Sequence, residues 1–266
     1  MITTPLSEQD TTLLDRAVAL AQKGLFTTKP NPRVGCVIAR KNKIIGEGWH
    51  VRAGQDHAEI AALTAANHDV RGADVFVSLE PCSHHGKTGP CASALIDAGV
   101  ARVVISMLDP NPEVSGGGVE MLRQAGIEVL ISDNPDQARM INSGFCLRME
   151  KGRPLVRLKI AATLDGRTAA SDGSSQWITG DSARKDVHTL RAMSCALITG
   201  IGTIRADNPR LNARVDSDVE QPLRVVVEGH HVVPPNAAIF NEAGRVLLVG
   251  PRSLPSRKGV PSGAEY

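Results

Sequence analysis

The chain has 266 residues, of which 42% are hydrophobic, 22% charged and 3% aromatic, enough for one large or two ordinary domains with a substantial core. Thirty Lys and Arg stand against 28 Asp and Glu, a formal net charge of +2. Such a chain offers neither a basic footprint for a polyanion nor aromatic platforms for stacked bases, so a small-molecule substrate is expected rather than nucleic acid.

Ser7 can cap a first helix whose apolar residues Leu13, Leu14, Ala17, Val18 and Ala21 recur at helical spacing, with Asp10 at the capping-box position and Gly24 as a stop. After the turn-rich 29–32, residues 34–39 and 44–45 read as two strands joined by a tight turn at Lys41-Asn42-Lys43. Residues 57–67 are Ala-rich and helical, 75–79 a strand, 91–98 a helix and 103–106 a strand. Gly116-Gly117-Gly118 makes a turn before a helix at 119–124 and a strand at 127–131. Asn134-Pro135 opens a further helix with Pro at its first position. This alternation predicts an α/β sandwich with a largely parallel or mixed sheet. The basic, turn-bearing stretch 148–154 marks a boundary between domains at 1–150 and 151–266. The second domain is again α/β, with strands at 155–161, 196–199, 223–227 and 246–249 and a helix at 182–193. Residues 251–266 lack apolar periodicity and read as a loose tail.

No basic leader followed by an apolar run opens the sequence, and no stretch reaches bilayer length, so a cytoplasmic protein without a membrane partner is expected. The five cysteines, Cys36, Cys82, Cys91, Cys146 and Cys195, are an odd and scattered set, which suits metal ligands or a nucleophile better than a disulfide framework. His57-Ala58-Glu59 starts a helix, Pro81-Cys82 ends a strand, and Cys91 follows after an eight-residue spacer at the start of the next helix. One imidazole and two thiolates suit Zn²⁺ with a fourth position open to water, the arrangement of a catalytic site. Glu59 can then carry a proton to a leaving nitrogen. The His-x-Glu and Pro-Cys elements match the signature of zinc nucleobase deaminases, except that the usual two-residue spacer is replaced by a polar, cationic loop from Ser83 to Pro90. His84 and His85 in this loop are alternative candidates for a fourth ligand, and a structural zinc or no zinc at all are the competing readings of the same residues.

HAE at 57–59, SLEPCSHHGKTGPC at 78–91 and NPRVGCVI at 31–38 resemble the bifunctional riboflavin-biosynthesis family of bacteria, a fused pyrimidine deaminase and reductase. The resemblance implies a cytidine-deaminase-like α/β/α sandwich that deaminates 2,5-diamino-6-ribosylamino-4(3H)-pyrimidinone 5′-phosphate, with His57, Cys82 and Cys91 on zinc and Glu59 as proton donor. It also implies Asn31 beside the pyrimidine, while His84 and Lys87 supply positive charge for the substrate phosphate. A turn Asn and a solvated lysine are the plainer readings. Family members usually carry Thr-Pro-Pro-Cys where this chain has Thr88-Gly89-Pro90-Cys91.

RLKIAATLDGRTA at 157–169, SSQWITG at 174–180, HTLRA at 188–192 and TGIGTIRADNPRLNAR at 199–214 resemble the family's reductase half, which has a dihydrofolate-reductase-like α/β fold. By that resemblance Ala161, Trp177, Thr203 and Asp207 contact NADPH, Ser175, Arg191, Leu211 and Arg214 hold substrate, and Lys159 lies near the reacting carbon. Without it, Gly200-Ile201-Gly202 is an ordinary turn and Trp177 a core aromatic. The family continues for about a hundred residues beyond residue 266, with a substrate-binding Glu and a Gly-rich turn for the NADPH phosphates. The reductase domain is therefore expected to be incomplete and inactive, and the protein to form a homo-oligomer. Rival readings are a zinc deaminase of another base or nucleoside, and a non-catalytic zinc-stabilised interaction protein, against which the presence of Glu59 counts.

Overall fold

A computed structural model describes residues 5–83, 89–251 and 264–265. The chain divides into two compact units, residues 1–156 and 157–266.

Unit 1 is built on a five-stranded mixed sheet. Helix α1 (Glu8–Ala21) starts where Ser7 accepts the N–H of Asp10 at 3.1 Å, and a 3₁₀ turn carries it to Gly24. Strands β1 (Gly35–Arg40) and β2 (Lys43–Trp49) form a hairpin whose two turn residues, Lys41 and Asn42, both have positive φ, the conformation a tight hairpin turn demands. Helix α2 (Ala58–Ala65) leads to β3 (Asp74–Val77), α3 (Cys91–Asp97) to β4 (Arg102–Ile105), and α4 (Gly117–Gln124) to β5 (Glu128–Ile131). The strand order is β2-β1-β3-β4-β5, with β1 antiparallel to both neighbours and β3, β4 and β5 parallel.

Alternate residues of the central strands feed two cores. Val37, Ala39, Phe76 and Val104 pack under α1 through Leu13, Leu14, Ala17 and Leu20. Cys36, Ile38, Val75, Val77, Val103 and Ile105 pack against Ala58, Ala62, Leu95, Val119 and Leu122 of α2, α3 and α4. The result is an α/β/α sandwich. Helix α2 lies directly on the hairpin backbone, because a Cβ on Gly48 would stand 2.4 Å from the Ala62 nitrogen and 2.5 Å from the Ala58 oxygen. At the end where β3 and β4 begin, Arg102 bridges Asp10 at 2.7 Å and Asp74 at 3.1 Å, and Arg40 at the end of β1 pairs with Asp69 at 3.1 Å.

The single helix expected after Asn134 is two, α5 (Asp136–Ile141) and α6 (Ser143–Lys151), with Pro135 as the capping residue rather than the first helical one. The break falls at Asn142, whose side chain turns away to bond the backbone of Arg33 in both directions, at 2.8 and 2.9 Å. Helix α6 also runs into the stretch expected to be a connector and stops at Gly152, which takes the left-handed conformation.

In unit 2, α7 (Asp181–Met193) precedes β6 (Ala196–Gly200), α8 (Ile201–Asp207), β7 (Leu223–Val227), β8 (Val246–Val249) and β9 (Ala264–Glu265), and the four strands form a parallel sheet in chain order. Its core holds Ile204, Val226, Val233, Ala237, Ile239, Val246 and Leu248. The buried Arg224 guanidinium donates to the carbonyls of Ile239, Glu242, Ala243 and Gly244 at 2.7 to 3.0 Å. Two expectations are corrected. Residues 155–161 are not a strand: Val156, Leu158 and Ile160 are 78%, 84% and 63% exposed, and no described strand pairs with them, so neither the ladder nor the apolar face a strand requires is satisfied. The tail is not wholly loose, because Ala264 and Glu265 pair with Val246 and Leu247, and Glu265 meets Arg245 at 2.7 Å.

Candidate active site

Three ligand atoms converge where α2 and α3 begin. His57 is the capping residue of α2, Cys91 the first residue of α3, and Cys82 follows β3 on an extended segment. His57 Nδ1 lies 3.6 Å from Cys82 Sγ and 3.3 Å from Cys91 Sγ, and all three atoms fall within 4.8 Å of one another. A tetrahedral zinc with ordinary Zn–S and Zn–N lengths sets its sulfur and nitrogen ligands about 3.6 Å apart, so the donor set fits that ion in both kind and spacing. The Cys91 N–H at the start of α3 points at Cys82 Sγ, 3.3 Å away. With the Cys91 thiol donating to it first, and His57 and this N–H adding to the effect, the Cys82 thiol is pushed down to about 4, a thiolate at neutral pH. Cys91 moves upward, because its proton is shared with Cys82 and it is buried. The same contact with Cys82 raises His57.

Glu59, in the first turn of α2, is buried beside these groups. Burial, and then the negative charge of Cys82, push its carboxyl up to about 7. A carboxyl that exchanges its proton near neutrality suits general acid–base work.

Asn31 reaches this centre through a residue that sequence reasoning missed. Its Nδ2 donates to Nε2 of buried His50 at 3.1 Å, while His50 Nδ1 donates to the Asp56 carbonyl at 2.9 Å, a tautomer fixed by those two partners. The His50 ring stands edge-on to His57 with centroids 5.5 Å apart. A lone His at the end of a strand carries no signal in the sequence, since its meaning comes from what lies beside it. Glu80 was missed for the same reason. Its buried carboxylate accepts backbone N–H groups from Asp109, Gly116, Gly118 and Val119 at 3.0 to 3.2 Å. His84, His85 and Lys87 lie outside the described residues.

In unit 2 the structure gathers some of the expected residues and not others. Arg191 donates to the Asn212 carbonyl at 3.2 Å and Arg214 to the Asn212 side chain at 2.6 Å, while His188 Nδ1 accepts the Arg214 N–H at 3.2 Å. Burial, and then the neighbouring Arg214 charge, lower Arg191 below its ordinary value. Leu211 adjoins this cluster in a left-handed conformation. Thr203 and Asp207 are exposed one turn apart on α8, which starts directly from the C-terminal end of parallel strand β6, where α/β folds offer backbone N–H groups to nucleotide phosphates. The exposed Thr203 hydroxyl and Asp207 carboxylate leave hydrogen-bonding partners open to the polar groups of a dinucleotide. Trp177 is no core aromatic: it is 71% exposed, with the Arg184 guanidinium 4.4 Å over its ring. Ser175 is half-buried nearby in the chain, and Lys159 and half-buried Ala161 sit on the unpaired 155–161 segment.

Comparison with known proteins bears on both units. Residues 7–107 match the model of the cytidine and deoxycytidylate deaminase zinc-binding region, and residues 154–258 that of the RibD C-terminal domain. The riboflavin biosynthesis protein RibD of Haemophilus influenzae is 47% identical over 262 residues, 93% of this chain and 70% of that protein. That of Escherichia coli is 48% identical over 248 residues, 89% of this chain and 68% of that protein. Among solved structures, Acinetobacter baumannii RibD superposes with a TM-score of 0.87 at 48% identity, over 92% of this chain and 70% of that one. A diaminohydroxyphosphoribosylaminopyrimidine deaminase/5-amino-6-(5-phosphoribosylamino)uracil reductase of Thermotoga maritima gives 0.88 at 39% identity, over 97% and 74%.

Proposed function

The chain belongs to the RibD family of riboflavin-biosynthesis proteins, and from that membership we propose which of its residues carry each half of a two-step conversion. It is a bifunctional enzyme, a zinc-dependent pyrimidine deaminase fused to an NADPH-dependent reductase. Its substrate is 2,5-diamino-6-ribosylamino-4(3H)-pyrimidinone 5′-phosphate, which unit 1 deaminates hydrolytically.

His57, Cys82 and Cys91 hold the zinc, which when bound supplies the charge that makes water nucleophilic at neutral pH. Glu59 takes up a proton from the attacking water and returns it to the exocyclic amino nitrogen, which leaves as ammonia. Asn31, held in one orientation by His50, reads the pyrimidine edge. His84 and Lys87 bind the substrate phosphate. The observation that carries this reading is the convergence of one imidazole and two thiols beside a buried carboxyl whose pKa is about 7.

In unit 2, NADPH when bound supplies the hydride that opens the ribose ring to a ribityl chain. Ala161, Trp177, Thr203 and Asp207 hold it. Ser175, Arg191, Leu211 and Arg214 hold the deaminated substrate with Lys159 beside the reacting carbon, and the two guanidiniums converging on Asn212 suit its phosphate. We divide the chain functionally at 150/151.

We assign the enzyme to the cytoplasm, where thiols stay reduced, in keeping with five free cysteines. The low net charge supports the absence of a nucleic-acid partner, and the exposed apolar side chains of 156–160 support self-association. No described helix is long and apolar enough to cross a membrane.

The test is mass spectrometry of the product after the zinc-loaded chain meets the diaminopyrimidine ribotide and NADPH, with Glu59→Gln as control. Replacement of one amino group by oxygen, abolished in the control, is the expected result for unit 1. Addition of two hydrogens in the same spectrum would show unit 2 active and overturn the expectation that it is incomplete and inactive; a deaminated but unreduced product would agree with that expectation. Unchanged substrate with zinc bound would refute the assignment.

A further inference from the structure

The Glu80 carboxylate sits 3% exposed against the connection from β4 into the first turn of α4. Oε2 accepts the N–H groups of Asp109 at 3.2 Å and Gly116 at 3.0 Å, and Oε1 those of Gly118 at 3.0 Å and Val119 at 3.1 Å. Helix α4 needs an outside acceptor here. Its capping residue, Gly116, has φ +83° and no side chain, whereas a side-chain oxygen at that position ordinarily accepts from the second and third helical N–H groups, here Gly118 and Val119. Glu80 performs this office from a distant point in the sequence, and its charge lies at the positive end of the helix.

Cys82 stands two residues further on. Its carbonyl accepts the Ala92 N–H at 3.2 Å and its sulfur the Cys91 N–H at 3.3 Å, which ties it to α3. Between the two, the Pro81 carbonyl lies against Gly118 so closely that a Cβ there would stand 1.9 Å away. Segment 80–82 is thus held at three successive points, to α4 by Glu80, against α4 by Pro81 and to α3 by Cys82. Without the first tie, Cys82 would be held only by the Glu80 N–H bond to the Met107 carbonyl at 3.0 Å, the Pro81 contact and its own bonds to α3, and its approach would be less fixed.

Resting on the reading of His57, Cys82 and Cys91 as zinc ligands, we propose that Glu80 is a positioning residue for the metal centre. By capping α4 it fixes the approach of Cys82, and zinc affinity depends on it.

Glu80→Gln keeps the volume but turns an NH₂ group toward backbone N–H donors. In that variant we expect the zinc dissociation constant, from chelator competition, to rise at least about tenfold, and the Co²⁺ absorption band to shift, at a temperature where the far-ultraviolet circular dichroism is native. Gly118→Ala, whose Cβ would stand 1.9 Å from the Pro81 carbonyl oxygen and 3.3 Å from Glu80 Cγ, disturbs the same tie while keeping the carboxylate charge and should give the same pattern. In the unsubstituted chain, zinc loading should slow hydrogen exchange at Asp109, Gly116, Gly118 and Val119 more than in β5, because coupling is reciprocal. Wild-type zinc affinity and cobalt spectrum in folded Glu80→Gln would overturn the proposal, as would zinc-independent exchange at those four amides. If the variants do not fold, the exchange measurement decides alone. Failure of the unsubstituted chain to bind about one zinc would instead sink the metal-centre reading, and this inference with it.

Discussion

Adding one methyl group at Gly48 tests whether the packing of α2 on the hairpin sets the geometry of the site. In Gly48→Ala the new Cβ would sit 2.4 Å from the Ala62 nitrogen, 2.5 Å from the Ala58 oxygen and 2.8 Å from the Ala61 carbonyl carbon, all of them backbone, so no side chain can swing aside. Restoring ordinary contact requires α2 to lift by about 1 Å, at an overpacking cost of about 1–3 kcal/mol. For a unit of this size that is a fall in Tm of roughly 3–10 °C. His57 and Glu59 ride on the first turn of α2, while Cys82 and Cys91 do not. A 1 Å lift therefore separates His57 Nδ1 from sulfurs now 3.3 and 3.6 Å away, and a misplacement of this size costs about a hundredfold in rate. The assay is deamination kcat/KM and zinc content at 25 °C, with Tm measured by circular dichroism. Activity within twofold of the parent, with a lowered Tm, would refute the claim that this contact sets the site rather than only the fold.

Three further outcomes are expected. In the metal-free protein Cys82, lowered to about 4, should alkylate readily at pH 6, ahead of the buried Cys36 and Cys146, whose thiols burial pushes up; zinc should protect it, and labelling measured by peptide mass spectrometry would count against the metal centre if zinc made no difference. Asp10 is raised by burial but lowered further by its bonds to Arg102 and Ser7, so its folded pKa lies below the ordinary carboxylate value. Its stabilising effect is therefore complete above about pH 4 and lost as pH falls through the folded pKa. Asp10→Asn should cost about 2 kcal/mol at pH 7, between the values for exposed and buried pairs, and the gap in urea stability should close below pH 3; a constant gap would be the contrary result. Arg224→Met leaves the carbonyls of Ile239, Glu242, Ala243 and Gly244 without their donor and should unfold unit 2, with about 3–5 kcal/mol lost and rapid proteolysis after residue 157, while deamination persists.

What the sequence made legible follows the range of the forces involved. α1, the β1–β2 hairpin, β7 and β8 were readable because Ser7, Asn42 and the β-branched runs act on their immediate neighbours. The grouping of His57, Cys82 and Cys91 was readable because each falls at the start of a helix or just past the end of a strand of one sandwich, where the fold gathers such ends. The misreadings concern partners far along the chain. Residues 155–161 alternate as a strand should, yet no ladder among the described residues receives them. Asn142 breaks the helix expected after Asn134 because Arg33, over a hundred residues earlier, offers its backbone as a partner. Glu80 and His50 gain their meaning from Gly118 and Asn31, and no local pattern announces either pairing.

The ion pairs of Arg102 with Asp10 and Asp74, and of Arg40 with Asp69, lie where β3 and β4 begin and β1 ends, whereas Asn31, His57, Cys82 and Glu80 lie beyond the opposite strand ends. Four residues of strand span about 13 Å, and each Arg is offset by the carboxylates it pairs with, so a charge at one pole acts only weakly on the other. Charge substitutions on the anchoring pole can raise or lower the melting point while the chemistry at the far pole proceeds at its own pH, so natural variation can adjust durability and substrate handling as separate traits.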